Sequence, residues 1–253
     1  MPEINSIKLD RKIRVGAVSY LNTKPLIYGF ERGMMKETVD LFIDYPANIA
    51  NALLKDEIDI GLVPVAILPR LKEYHIISDY CIAADGEVAS VCLFSEVPLE
   101  QIETILLDYQ SMTSVLLVQV LMKQFWKIDP EIKNTVKDFG SEIKGTTAGV
   151  IIGNRALEQR CISKYVYDLG LAWKQFTGLP FVFAAWVSNK PLPDEFITGF
   201  NFTTGIGLGK INNIVAALRY DVYDLHEYYE KNLVYEFTDR LRKGMDEFLK
   251  MIQ

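Results

Sequence analysis

A chain of 253 residues, 49% hydrophobic and 24% charged, is long enough to bury a core as one large domain or two lobes, and it holds no biased segment that composition would leave disordered. Its formal net charge of −6 leaves no basic face for a phosphate backbone, which argues against nucleic acid as a partner. Three cysteines in no metal-type spacing argue against a disulfide framework or a zinc site, and no apolar run approaches the roughly 20 residues that span a bilayer.

The opening MPEINSIKLDRKIRVGAV alternates charged and apolar residues without the apolar core of a secretory signal, so a cytoplasmic protein is expected. KIRVGAVSY reads as a buried strand, followed by a polar turn of Tyr20, Asn22 and Lys24 and a helix opened by Pro25. VDLFIDY, PANIANALLKD and IDIGLVPVAIL continue the alternation, with Ile49, Leu53 and Leu54 at helical spacing behind Pro46. This predicts βαβ units and a mostly parallel sheet. EVASVCLFSEVPLEQIETILLD predicts a strand, a break at Pro98 and a second strand. In SMTSVLLVQVLMKQFWKI, Ser111 or Thr113 can cap an apolar helix and leave backbone N–H groups beside several hydroxyls, the outline of an anion cradle. TAGVIIGNRALEQ repeats strand, turn at Gly153 and helix, and LPFVFAAWVSNKPLP is a further strand closed by Pro191 and Pro193. The remainder reads as helical, in IVAALR, LHEYYEKNL and FTDRLRKGMDEFLKMI, with no strand to build a third lobe. The simplest architecture is two α/β lobes with a ligand cleft between them. Lobe one takes 1–93 and 186–253, including the carboxy-terminal helices, and lobe two takes 94–185.

Several motifs fail. TTGIGLGK, residues 203–210, is one residue short of a P-loop and has Ile211 where a magnesium-binding Ser or Thr belongs, so it reads as a loop or helix boundary. The metalloprotease, serine-esterase and dinucleotide signatures are missing. The two histidines read as a boundary residue, His75, and a solvated one, His226. Ordinary acid–base or nucleophilic catalysis therefore has no obvious agent.

Four polar elements stand at predicted strand ends or helix starts: Tyr20 with Asn22, Ser90, the turn from Ser111 through Thr113 to Ser114, and Gly153 with Asn154. Singly each is an ordinary turn residue, strand hydroxyl or cap. Together they would line one cleft, because open α/β sheets bind ligands at the carboxyl ends of their strands. From the residues alone the chain is a cleft-forming α/β binder of a small anion.

VGAVSYLNTKPLIYGF, DIGLVPVAIL, ISDYCIAADGEVASVCLFS, ILLDYQSMTSVLL, IIGNRAL, YVYDLGLAWKQFTGLPFVFAAWV and YYEKNLVYEFTDRLRKGMDEFL, together covering nearly the whole chain, closely resemble the chorismate dehydratases of the futalosine route to menaquinone. The resemblance implies a two-lobed type II periplasmic-binding-protein-like fold working inside the cell with neither a metal nor an organic cofactor. It implies conversion of chorismate to 3-[(1-carboxyvinyl)oxy]benzoate with loss of water. Asn22 and Ser90 would be catalytic, with Tyr20, Ser111, Thr113, Ser114, Gly153 and Asn154 binding substrate. Asn22 is expected to orient the leaving hydroxyl or the carboxylates. Ser90 and the Ser111 to Ser114 turn would hold the two carboxylates, with Lys24 adding long-range attraction. For want of a protein base, the substrate's own enolpyruvyl carboxylate is expected to take the ring proton. Similar dehydratases usually carry Asp where this chain has Asn154. The alternatives are a non-catalytic small-anion binder and the related dihydroxynaphthoate synthase, whose opening turn differs from SYLNTKPL. The sequence carries no signal for an oligomeric state.

Overall fold

The computed structural model of the protein describes residues 11–253, so the expectation about a leader falls on residues outside it. Eleven strands among the described residues form two sheets. The first third builds as the apolar period requires. Strand β1 (Ile13–Val18) is followed by a helix over Lys24–Glu31, strand β2 (Val39–Asp44), a helix over Pro46–Leu54 and strand β3 (Ile60–Pro64). Pro25 and Pro46 sit in the first turns of their helices, where a missing N–H costs no helical bond. Strands β4 (His75–Ala84), β5 (Val91–Ser95), β6 (Thr104–Leu107), β7 (Glu131–Asn134), β8 (Thr147–Ile152), β9 (Tyr165–Asp168), β10 (Phe181–Ser188) and β11 (Val234–Glu236) complete the set. The first sheet runs β11-β4-β10-β3-β1-β2 and the second β7-β6-β8-β5-β9.

Both sheets are mixed rather than mostly parallel. The βαβ units make β1, β2 and β3 parallel and likewise β6, β7 and β8, but β10 returns antiparallel between β3 and β4, and β5 lies antiparallel to both β8 and β9. A fully buried run such as FVFAAWVS carries no mark of its direction, which is why alternation alone overstates parallel pairing. The tail also holds a strand that the helical reading omits. Three-residue β11 adds to the edge of the first sheet beside β4, too short to show a period. The chain changes sheets between Ala84 and Val91 and again between Asp168 and Phe181. We propose lobe limits that follow these crossings, a few residues ahead of 93 and 185.

Much of the Tyr165–Val187 block is core packing at the second crossing. Trp173 is buried edge-on against Phe181 and Phe248, joining the helix Leu169–Thr177 to β10 and to the final helix, Asp239–Met251. The helix Asp194–Gly205 packs on the first lobe as well, and the run Thr203–Lys210 is the end of that helix and a short 3-10 turn. Among the described residues no helix is long and apolar enough to cross a membrane.

At the amino ends of the parallel strands, opposite the cleft, the buried Asp59 carboxylate accepts from Arg11 at 2.6 and 2.8 Å, from the Arg14 backbone at 3.0 Å and side chain at 3.1 and 3.2 Å, and from Lys190. Burial alone would raise its pKa, but these three cations hold it well below the usual carboxylate range. Its contribution to stability is therefore full above the unfolded value of about 3.9 and is lost as pH falls below it. Asp59→Asn should cost about 3 kcal/mol near neutrality, because it leaves three neighbouring cations unbalanced. Urea unfolding of both proteins at about pH 6 and about pH 3 should show that difference shrinking in acid. A difference that stays constant would mean that the cost does not come from the charge of the Asp59 carboxylate.

Candidate active site

The carboxyl ends of β1, β3 and β8, the loop before β5 and the turn after β6 converge on one cavity between the lobes. About 510 Å³ of space, part of it open to solvent, lies among these elements. Its wall includes Tyr20, Asn22, Ser90, Ser111, Thr113, Ser114 and Gly153 set among Val18, Pro46, Pro64, Ile82, Val88, Val91, Ile152, Phe183 and Ala184. The structure thus brings together seven of the eight expected residues. Asn154 lies just outside the wall.

The bonds behind the wall determine what each side chain can offer. Asn22 Oδ1 accepts from the Thr23 hydroxyl at 3.2 Å, which leaves the amide nitrogen as the donor the residue can offer to the cavity it lines. Ser111 Oγ accepts from the Ser114 backbone N–H at 3.1 Å, closing the first turn of the helix Thr113–Val120 and leaving the Ser111 proton free. The Ser114 hydroxyl has no hydrogen-bond partner among the described residues, although the side chain is buried. Ser90 Oγ accepts from Tyr228 at 2.7 Å.

Three residues serve differently from the expectation. Thr113 donates to the Phe183 carbonyl at 3.2 Å and accepts from the Ala66 N–H at 3.3 Å, so its hydroxyl stitches the lobes together and is not free for a ligand. Asn154 Oδ1 accepts from the Leu21 N–H at 3.0 Å, also across the cleft. An aspartate at this position could accept the same bond. Lys24 is paired with Glu31 at 3.0 Å and does not line the cavity.

Tyr20 gives its proton to Gln110 Oε1, an atom that also accepts from Arg155 at 3.0 Å. Arg155 in turn forks onto the fully buried Asp108 at 2.7 and 2.8 Å, and Asp108 accepts from the Ile152 and Gln110 N–H groups, each at 3.0 Å. Burial, with Asp108 nearby, pushes the Tyr20 phenol up, so it stays neutral. Gly153 donates its N–H to the Ser90 carbonyl at 2.8 Å and presents its bare Cα to the Tyr20 ring.

Nothing in the local pattern singles out Asp108, Gln110, Arg155, Asp168, Tyr228, Tyr229 or Tyr235, yet they hold the site. Tyr229 donates to the Leu21 carbonyl at 3.0 Å and Tyr235 to that of Asn22 at 2.8 Å, pinning the opening turn from the far end of the chain. Burial raises the pKa of all three tail phenols. The signal available was three tyrosines within the short polar run YYEKNLVY.

Among the described residues the wall holds no carboxylate, imidazole or ammonium. Neutral donors line it, and three helices, over Lys24–Glu31, Pro46–Leu54 and Thr113–Val120, begin at or beside it with the ends that favour negative charge.

Comparison with known proteins agrees with this architecture. A protein from Archaeoglobus fulgidus superposes with a TM-score of 0.73 at 15% identity, covering 96% of this chain and 97% of that one. A Candida albicans protein described as having the generic periplasmic binding protein fold scores 0.62 at 13% identity over 95% and 90%. The periplasmic aliphatic sulphonate binding protein of Escherichia coli scores 0.58 at 12% over 96% and 88%. The fold is thus the two-lobed periplasmic-binding-protein type expected. In sequence, the chain is 26% identical over 262 aligned positions to a chorismate dehydratase of Thermus thermophilus, with 94% of each covered. The profile of the menaquinone biosynthesis family matches residues 13–253, nearly the whole chain and the whole of the cavity wall, and the chain belongs to that family.

Proposed function

We propose that the protein is a cytoplasmic hydro-lyase that converts chorismate to 3-[(1-carboxyvinyl)oxy]benzoate in menaquinone biosynthesis. Family membership and the likeness to the Thermus thermophilus enzyme support the reading. The observation that carries it to a mechanism is the wall, whose described residues are rich in neutral donors and include no side chain fit to be a base at neutral pH.

Chorismate suits such a wall. Its ring proton beside the ether is allylic and conjugated through the ring alkene to the carboxylate, so the electron pair left by deprotonation spreads onto that carboxylate. The enolpyruvyl carboxylate, tethered next to this carbon, takes the proton. The electron pair then returns to expel the neighbouring hydroxyl, which leaves as water with the transferred proton, and the ring becomes aromatic. The protein's share is orientation and stabilisation of developing negative charge. Ser111 and Ser114, at the start of the helix Thr113–Val120, hold the ring carboxylate where charge accumulates. Asn22 and Ser90 donate toward the departing oxygen and the enolpyruvyl group.

Purified protein incubated with chorismate, with and without chelator, should release one aromatic product lighter by one water, resolved by chromatography and mass. If chorismate binds unchanged, the protein is a small-anion binder and the catalytic reading fails.

A further inference from the structure

Ser90 is approached by an unusual backbone. Ala89 has φ +61°, a left-handed conformation that non-glycine residues avoid. It is held there by the buried Asp168 carboxylate, which accepts from the Val88 N–H at 3.1 and 3.2 Å and from the Ala89 N–H at 2.8 Å. The Ser90 N–H closes a tight turn onto the Val88 carbonyl at 2.7 Å. The chain therefore spends conformational energy to bring one hydroxyl to the cavity wall.

Behind that hydroxyl stands Tyr228. It is 1% exposed, and its phenol oxygen has one hydrogen-bond partner among the described residues, Ser90 Oγ at 2.7 Å. A phenol is more acidic than an alkyl alcohol, hence the better donor and poorer acceptor, so the proton in this bond belongs to Tyr228. Ser90 Oγ has no acceptor for its own proton among the described residues, and the residue faces the cavity. Its rotor is thereby restricted. The hydroxyl turns its proton inward, polarised by the phenol that donates to it from behind.

We propose that Tyr228 is a positioning residue that acts through Ser90, committing its hydroxyl as a donor to an anionic or departing oxygen of the substrate. This deepens the dehydratase reading and rests on it. Tyr228 touches no substrate. It closes one of the staggered orientations that a free serine hydroxyl would share, the one facing the core, and leaves the proton to those turned toward the negative charge formed in the reaction. Tyr229 and Tyr235 are comparably buried but grip backbone carbonyls, so they hold the turn in place without setting the polarity of any group in the wall.

The test is a double-mutant cycle on chorismate dehydration, with kcat and KM read separately and unfolding followed for each protein. Tyr228→Phe keeps the ring in the core and should lower kcat/KM about tenfold, the worth of one hydrogen bond, mostly through kcat. Ser90→Ala should lower it about 100-fold. The double variant should be no worse than Ser90→Ala alone, because without the serine hydroxyl the phenol has nothing left to position. Losses that multiply, or a Tyr228→Phe enzyme within twofold of the parent, would overturn the proposal. The same cycle is to be run on affinity for 3-[(1-carboxyvinyl)oxy]benzoate by calorimetry. If the parent binds this compound but does not dehydrate chorismate, the dehydratase reading falls while non-multiplying affinity losses still support the Tyr228 role. A parent that neither turns over nor binds overturns both.

Discussion

Replacing Asn22 with alanine is expected to lower kcat for chorismate about 100- to 1000-fold, the range seen when one preorganised donor to a developing negative charge is removed. The expectation follows from how firmly the amide is set. The Thr23 hydroxyl occupies Oδ1, the Tyr235 phenol holds the Asn22 carbonyl and the Tyr229 phenol holds that of Leu21, so the amide nitrogen is left as a fixed donor on the wall. Little stability should be lost, within about 1 kcal/mol, because the side chain is only half-buried in a surface turn. Asn22→Asp separates this role from that of a base. It is isosteric but puts a negative acceptor where a donor stood, and it should be at least as impaired as the alanine variant toward a substrate with two carboxylates. An active aspartate variant would show that Asn22 does not act by donating. Steady-state kinetics alongside thermal unfolding decide the matter.

Gly153→Ala is expected to destabilise the protein by about 3 kcal/mol and to damage the site at the same time. Gly153 has φ +67° and ψ −148°, a region almost closed to residues with a Cβ. An added Cβ would also lie 2.9 to 3.0 Å from three atoms of the Tyr20 ring. That ring cannot simply retreat, because its phenol is tied to Gln110, which is held in turn by Arg155. The steric and backbone shares can be told apart. In a Tyr20→Ala background the same change should cost only the backbone share, about 1 to 2 kcal/mol, since the ring it would strike is gone. Denaturant midpoints of the four proteins provide the comparison, and equal costs in both backgrounds would show that the ring contact is immaterial.

Most of the working wall stands near elements that the sequence marks locally. Ser111 falls at a helix cap, Asn22 in a polar turn before Pro25, and Gly153 between an apolar strand and an amphipathic helix. Each signal is short-range, and the rule that parallel strands offer their carboxyl ends to ligands carries these positions to one cavity. The exposed β7 strand, EIKN, and the three-residue β11 escape such reading, because one is exposed on both faces with a single apolar residue and the other is too short for a period. Thr113 and Asn154 were legible as cleft residues but not as cross-lobe ties, since a hydroxyl or amide in a sequence does not disclose which of its bonds is already made.

By itself, then, the sequence determined the order of most strands and helices, the uncharged donor-rich chemistry at the strand ends and the family, because periodicity, turn chemistry and motif are properties of neighbouring residues. The tertiary structure alone decided the direction in which each donor points. Tyr228 meets Ser90 across 138 positions, Tyr20 meets Gln110 across 90, and Asp59 gathers Lys190 from 131 away. A hydrogen bond commits a proton only when its partner is within reach, and for residues so far apart that is settled by folding.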